Sequence, residues 1–148
     1  MGADQVAAIR PIVAELEEDE KKHPSEAKAR YFGRFTVPSG QQPWVELNLE
    51  RETVVNMSFP FEADPLAWLR ESGVEPLPDA RVSDVPRGLF CTFAFARVPS
   101  MKLARFVDAL FMKALCCGED YPLDVEIQPF RVRAAFATRE GRTVSPNT

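Results

Sequence analysis

Between Ser100 and Gly118, apolar residues recur at Leu103, Phe106, Val107, Leu110, Phe111, Ala114 and Leu115. Steps of three and four in turn predict one helix with a buried face. Ser100 stands where a capping hydroxyl belongs, and Gly118 where helices stop. Next, Leu123, Val125 and Ile127 alternate with Asp124, Glu126 and Gln128, the period of a half-buried strand.

Upstream, Val6, Ile9, Val13 and Leu16 form a narrow apolar stripe on a helix from about Asp4 to Lys22. Pro11 lies inside it, so the helix either begins there or is kinked. Its charged face (Glu15, Glu17, Glu18, Asp19, Glu20) reads as a solvated surface rather than a docking face. His23-Pro24 ends it.

Three strands follow. Arg30 to Val37 sets Tyr31, Phe35 and Val37 against Arg34 and Thr36, with a bulge expected at Gly33. Pro38-Ser39-Gly40 marks a turn. Trp44 to Glu50 turns Val45, Leu47 and Leu49 inward, and Thr53 to Phe61 places Val55, Met57, Phe59 and Phe61 on one side. Together they predict an antiparallel meander with one wet face.

Asp64-Pro65 is a cap followed by a first-turn proline. It opens a short helix with Leu66 and Leu69 inward and Gly73 at its end. Residues 74–87 read as a loop, with Pro76, Pro78 and Pro86 among Asp79, Ser83 and Asp84. Gly88 to Val98 is apolar on both sides: Leu89, Cys91, Phe93 and Phe95 on one, Phe90, Ala94 and Ala96 on the other. Such a strand is covered on both faces, or covered on one and turned to a partner on the other. Phe130, Val132, Ala134 and Phe136 alternate as a further strand would, and disorder is expected past Thr138.

These elements define an α+β domain over residues 1–137, with a tail at 138–148. A mostly antiparallel sheet of about five strands carries helices on one face, in the order α-β-β-β-α-β-α-β. With 45% hydrophobic residues, the 148-residue chain can build its own core. A net charge of -4 argues against a nucleic-acid partner, which would need a basic surface. No apolar run approaches the ~20 residues that span a bilayer, and the amino terminus lacks a signal-peptide core. Val6 stands where a myristoylation motif needs Ser or Thr. The odd set Cys91, Cys116 and Cys117 gives no disulfide framework. A cytoplasmic protein away from membranes is expected.

The search for chemistry returns mostly absences. His23 is the one histidine, and Ser39, Ser58 and Ser100 are accounted for by a turn, a strand and a cap. A zinc site needs about four Cys or His ligands. Cys116 and Cys117 are neighbours, and neighbours on a helix point about 100° apart, which does not bring them to one ion. At a helix carboxyl end the dipole also opposes thiolate formation. No phosphate-cradling glycine motif occurs. Glu119-Asp120 and the pair Asp124 and Glu126 read as exposed acids. Arg131, Arg133, Arg139 and Arg142 read as part of a frayed terminus. No catalytic, cofactor-binding or metal-ligating residue is assigned, and no cofactor is expected.

Aromatic residues remain: Trp44, Trp68, Tyr31, Tyr121 and 11 phenylalanines. Phe59-Pro60-Phe61 and Leu89 to Ala96 suggest an apolar face for self-association or a protein partner.

Trp44-Val45-Glu46-Leu47, the passage from Phe59 to Leu69, and Phe106 to Phe111 followed by Asp120-Tyr121 complete a layout. It resembles type III secretion chaperone-like domains, including the YbjN-type bacterial group, over roughly Ala29 to Ile127. The resemblance implies a small, often dimeric, non-catalytic protein that grips an extended partner segment. Two departures stand out: one strand rather than two between the last two helices, and an extra strand after them. The expectation is a non-catalytic protein-binding or chaperone-like module, such as an accessory or immunity protein. The alternative is a small-molecule binder or enzyme with a cleft beside residues 74–87, using Asp79, Asp84 and Arg87.

Overall fold

A computed structural model describes residues 3–22, 31–38, 40–84, 89–118 and 120–129. In chain order the elements are α1 (Ala3–Lys22), β1 (Tyr31–Thr36), β2 (Trp44–Leu49), β3 (Thr53–Ser58), α2 (Pro65–Glu71), β4 (Arg81–Asp84), β5 (Phe90–Phe95), α3 (Ser100–Ala109), a π-helical extension (Leu110–Ala114) and β6 (Asp124–Pro129). The strands form one six-stranded sheet in the order β4-β5-β3-β2-β1-β6. Every neighbouring pair is antiparallel.

The register explains which side chains reach the core. Val125, Phe35, Val45, Met57 and Cys91 lie in one cross-strand row, and Ile127, Gly33, Leu47, Val55 and Phe93 in the next. This face meets Ile9, Val13 and Leu16 of α1 and Leu103, Phe106 and Val107 of α3 in a single buried cluster. The opposite face is mixed, with Trp44, Val54, Phe90 and Ala94 among its polar residues. It carries the Arg34–Glu46 ion pair, and Thr92 Oγ1 donates to Asn56 Oδ1 at 2.6 Å.

Several expectations change. The sheet has six strands because β4 lies inside the stretch read as a loop. β4 is short, sits at the sheet edge and breaks register between Val82 and Asp84, so it has no alternation long enough to read. Two strands therefore lie between α2 and α3. Gly33 is not at a bulge, since its pairing is continuous on both sides. A Cβ there would lie 2.6 Å from Ile12 Cγ2, so the glycine permits close approach of α1. Helix α1 runs through Pro11 rather than beginning at it. Ser100 is not a cap: Pro99 holds the cap position, and no side chain bonds the helix start. Leu89 does not point inward; it is 66% exposed just before β5.

Asp64 does cap α2, accepting from the Ala67 amide at 3.0 Å, with Pro65 following as predicted. His23 and the strand and tail expected after Pro129 lie outside the described residues.

Candidate functional site: an apolar cleft at the end of the sheet

The α3 rod ends in an unusual way, and that ending shapes a cleft. From Leu110 the helix widens to π geometry: the Leu115 amide donates to Leu110 O at 2.8 Å. The Cys117 amide then reaches back to Phe111 O at 2.8 Å. This resembles the usual helix-closing turn, widened by one residue. The turn requires a left-handed residue, and Cys116 supplies it at φ 58°. Gly118 is left-handed too, at φ 80°. Trp68 Nε1 donates to Ala114 O at 3.0 Å, tying α2 to the same carboxyl end.

Opposite this turn lies the end of the sheet. Ser58 Oγ accepts from the Trp44 amide at 3.1 Å and donates to Trp44 O at 3.4 Å, which fixes the start of β2. The Trp44 ring lies 6.4 Å from Phe90, and the Arg34 guanidinium lies 5.3 Å from its centroid, a cation–π contact. Phe61 stacks on Trp68 with centroids 4.1 Å apart, and Phe59 meets Phe61 edge-on at 5.2 Å. A cleft of about 520 Å³ lies between the two ends. Trp44, Phe61, Leu89 and Leu115 line it, with Pro43, Pro60 and Pro122, and Cys116 and Cys117 sit on one wall. Gln41, Gln42 and Ser58 provide polar groups, and among the described residues none of its lining side chains is charged.

Tyr121 floors the cleft and is itself buried. Its hydroxyl donates to Asp108 Oδ1 at 2.6 Å, and its carbonyl accepts from Gln5 Nε2 at 2.8 Å. Desolvation raises the Asp108 carboxyl above its ordinary range, although the Tyr121 bond opposes this. Burial, then the bond to Asp108, raises the Tyr121 phenol. Burial, then the neighbouring Cys116, raises the Cys117 thiol. Burial alone pushes the Cys91 thiol up to about 12.

A second cleft, of about 360 Å³, separates α1 from β1 and β6 and is lined by Glu15, Glu18, Asp19, Lys22 and Tyr31 among others. Of the polar set proposed beside residues 74–87, Asp79 lines neither cleft. Asp79 is exposed in a left-handed turn at φ 59°, Asp84 ends β4, and Arg87 lies outside the described residues. Cys91 is buried in the core. Among the described residues no three His, Cys, Asp or Glu side chains gather as a metal site, and no helix is long and apolar enough to cross a membrane.

Pro60, Phe61 and Leu89, from the two segments singled out for their aromatic content, line the same cleft. The sequence reading missed the Gln41-Gln42-Pro43 wall and the cysteine wall. The Pro38-Ser39-Gly40 turn signal was the one pointer to the first. Nothing local announces a π-widened helix end.

The geometry provides an open, aromatic-walled trough. Its two hydroxyls are engaged, Ser58 with the Trp44 backbone and Tyr121 with Asp108, and among the described residues no charged side chain lines it. Such a site can desolvate an apolar ligand and offer it amide hydrogen bonds. Compared with known protein families, with curated proteins and with solved structures, the chain matches none.

Proposed function

We propose that the chain is a non-catalytic protein-binding module, and that the end cleft receives a short apolar segment of a partner. One observation carries this: Leu89, the one exposed large hydrophobic residue among the described residues, stands on the rim of the aromatic-walled cleft. Trp and other aromatic anchors in desolvated pockets supply most of the energy of protein interfaces. Isolated exposed leucines are ordinary, but one continuous with a trough of Trp44, Phe61 and three prolines is part of a surface suited to peptide binding. The element order, with two strands between α2 and α3, supports the chaperone-like reading by removing one of the two departures noted above. An accessory or immunity role, and a dimer, are the finer forms of this proposal.

Photo-crosslinking in the expressing cells tests it. A benzophenone amino acid at position 89 should yield a discrete crosslinked protein, and the same group at position 81, on β4 beside the far end of β5, should not. Trp44→Ala should weaken the crosslink at least several-fold while the fold persists by circular dichroism. Equal crosslinking from both positions, or none from position 89, would overturn the proposal.

A further inference from the structure

The two adjacent cysteines lie past the end of the helix. On a regular helix their thiols would diverge by about 100°. Here the helix has ended at Ala114, and Cys116 turns left-handed at φ 58°, so that rule does not apply to the pair. Both residues line the same cleft. Cys116 Sγ lies 3.5 Å from Lys113 O, and Cys117 Sγ lies 3.7 Å from Leu115 O, carbonyls two residues apart at one helix end. Cys116 is exposed and Cys117 half-buried, so one thiol meets solvent while the other borders the apolar wall.

We propose that Cys116 and Cys117 form a two-thiol site at the cleft wall for a soft, thiophilic centre of low charge that carries an apolar substituent. Sulfur ligands select soft centres, and hard cations require oxygen donors. Among the described residues no carboxylate lines this cleft, and no cation lines it to repel a cationic centre. Trp44, Tyr121 and Leu115 offer the substituent an apolar bed. Burial raises the Cys117 thiol, so a ligand at this sulfur displaces its proton on binding. An ordinary disulfide within the pair is disfavoured, because adjacent α-carbons about 3.8 Å apart lie below the usual disulfide range. A bridging atom larger than sulfur relieves that constraint. The site is independent of whether a peptide also uses the cleft.

Phenylarsine oxide, a trivalent aryl arsenical, is the probe. Its reaction balances without an oxidant: the As–O bond breaks, two As–S bonds form, and the oxygen leaves as water with the two thiol protons. Intact mass spectrometry of the folded full chain should show one phenylarsenic group bound. The adduct should survive excess monothiol and be released by a 1,2-dithiol. Cys116→Ser and Cys117→Ser should each lower retention in monothiol by at least tenfold, and Cys91→Ser should leave it unchanged. The adduct should also quench tryptophan fluorescence in the parent chain, and Trp44→Phe should remove part of that quenching, Trp68 beside the same helix end accounting for the rest. Circular dichroism confirms that each variant is folded, and Cys116→Ala and Cys117→Ala serve if a serine variant is not. Retention unaffected by losing either cysteine, or uptake only by the urea-unfolded chain, would overturn the assignment.

Discussion

Gly33 and Ile12 meet so closely that a single methyl group would collide: a Cβ on Gly33 would sit 2.6 Å from Ile12 Cγ2. Leu16 Cδ1 and the Phe35 ring tip lie just beyond, each at 3.5 Å. The contact sets how tightly α1 lies on β1. Ile12 is β-branched and cannot swing its Cγ2 aside without leaving its preferred rotamer. Gly33→Ala should therefore destabilise by about 1–3 kcal/mol, the usual range for overpacking, despite alanine's lower unfolded-state entropy. Ile12→Ala in the same chain should recover part of that loss. Urea denaturation of the two single variants and the double variant checks this; strict additivity would show that the two sites do not touch.

Tyr121 and Asp108 form a second pair with consequences for pH. The Asp108 carboxyl is raised above its ordinary value of 3.8, mainly by desolvation. A carboxyl raised in the folded state binds its proton more tightly there than in the unfolded chain. Its contribution is thus fully present below 3.8 and is lost as pH rises through the raised value. Asp108→Asn keeps an acceptor for the Tyr121 hydroxyl and removes the charge. The variant should gain stability relative to the parent progressively as pH rises from 4 to 7. Tyr121→Phe should instead lose about 1–3 kcal/mol at pH 7, because it leaves a buried carboxylate without its donor, and less at pH 4. Unfolding free energies across that range measure both.

Most of the framework was legible because it rests on period and local chemistry. Val45, Leu47 and Leu49 alternate cleanly, and Asp64-Pro65 is a cap that needs no tertiary partner. What escaped notice depends on long-range contact. β4 exists because β5 offers it an edge, and Arg81 and Glu52 clamp it with bonds of 2.5 and 2.6 Å across 29 residues of sequence. Gly33 looked like a bulge because its reason lies in α1. Leu89 looked inward because alternation was extended one residue past the strand start, into a turn whose carbonyl accepts from the Phe59 amide. The cleft was half legible: its aromatic wall followed from composition, while the wall built by a π-widened helix end did not.

The α3 face yields a firm stability prediction. Phe106 and Leu110 are buried, and the Phe106 ring meets Phe95 edge-on at 5.1 Å. Phe106→Ala should cost about 3–5 kcal/mol and Leu110→Ala about 2–5 kcal/mol, since each leaves a cavity under the helix. A loss below about 1 kcal/mol in chemical denaturation would place that face outside the core.

Cys91 governs part of the alkaline limb. Its thiol is pushed from 9.0 up to about 12 by burial in β5. The folded state holds this proton more tightly, so the contribution is intact below pH 9 and declines as pH rises toward 12. Within that window this one group should lower stability by up to about 1.4 kcal/mol per pH unit. Cys91→Ala should flatten the limb between pH 9 and 10, below the range where Tyr121 ionisation adds its own loss. Parallel urea titrations of the two chains at closely spaced pH values measure the difference in slope.

Cys116 occupies a backbone position that favours glycine. At φ 58° its Cβ crowds the neighbouring carbonyl, a strain of order 1 kcal/mol for a residue other than glycine. Its side chain is exposed, so little packing would be lost on removing it. Cys116→Gly should therefore stabilise the chain by about 1 kcal/mol, less whatever glycine adds to unfolded-state entropy. The same substitution in place of Cys117, which lies past the left-handed position and is half-buried, should destabilise instead. Thermal denaturation of the two variants should thus move Tm in opposite directions. A fall in both would mean that the exposed thiol contributes packing or hydrogen bonding that outweighs its backbone strain.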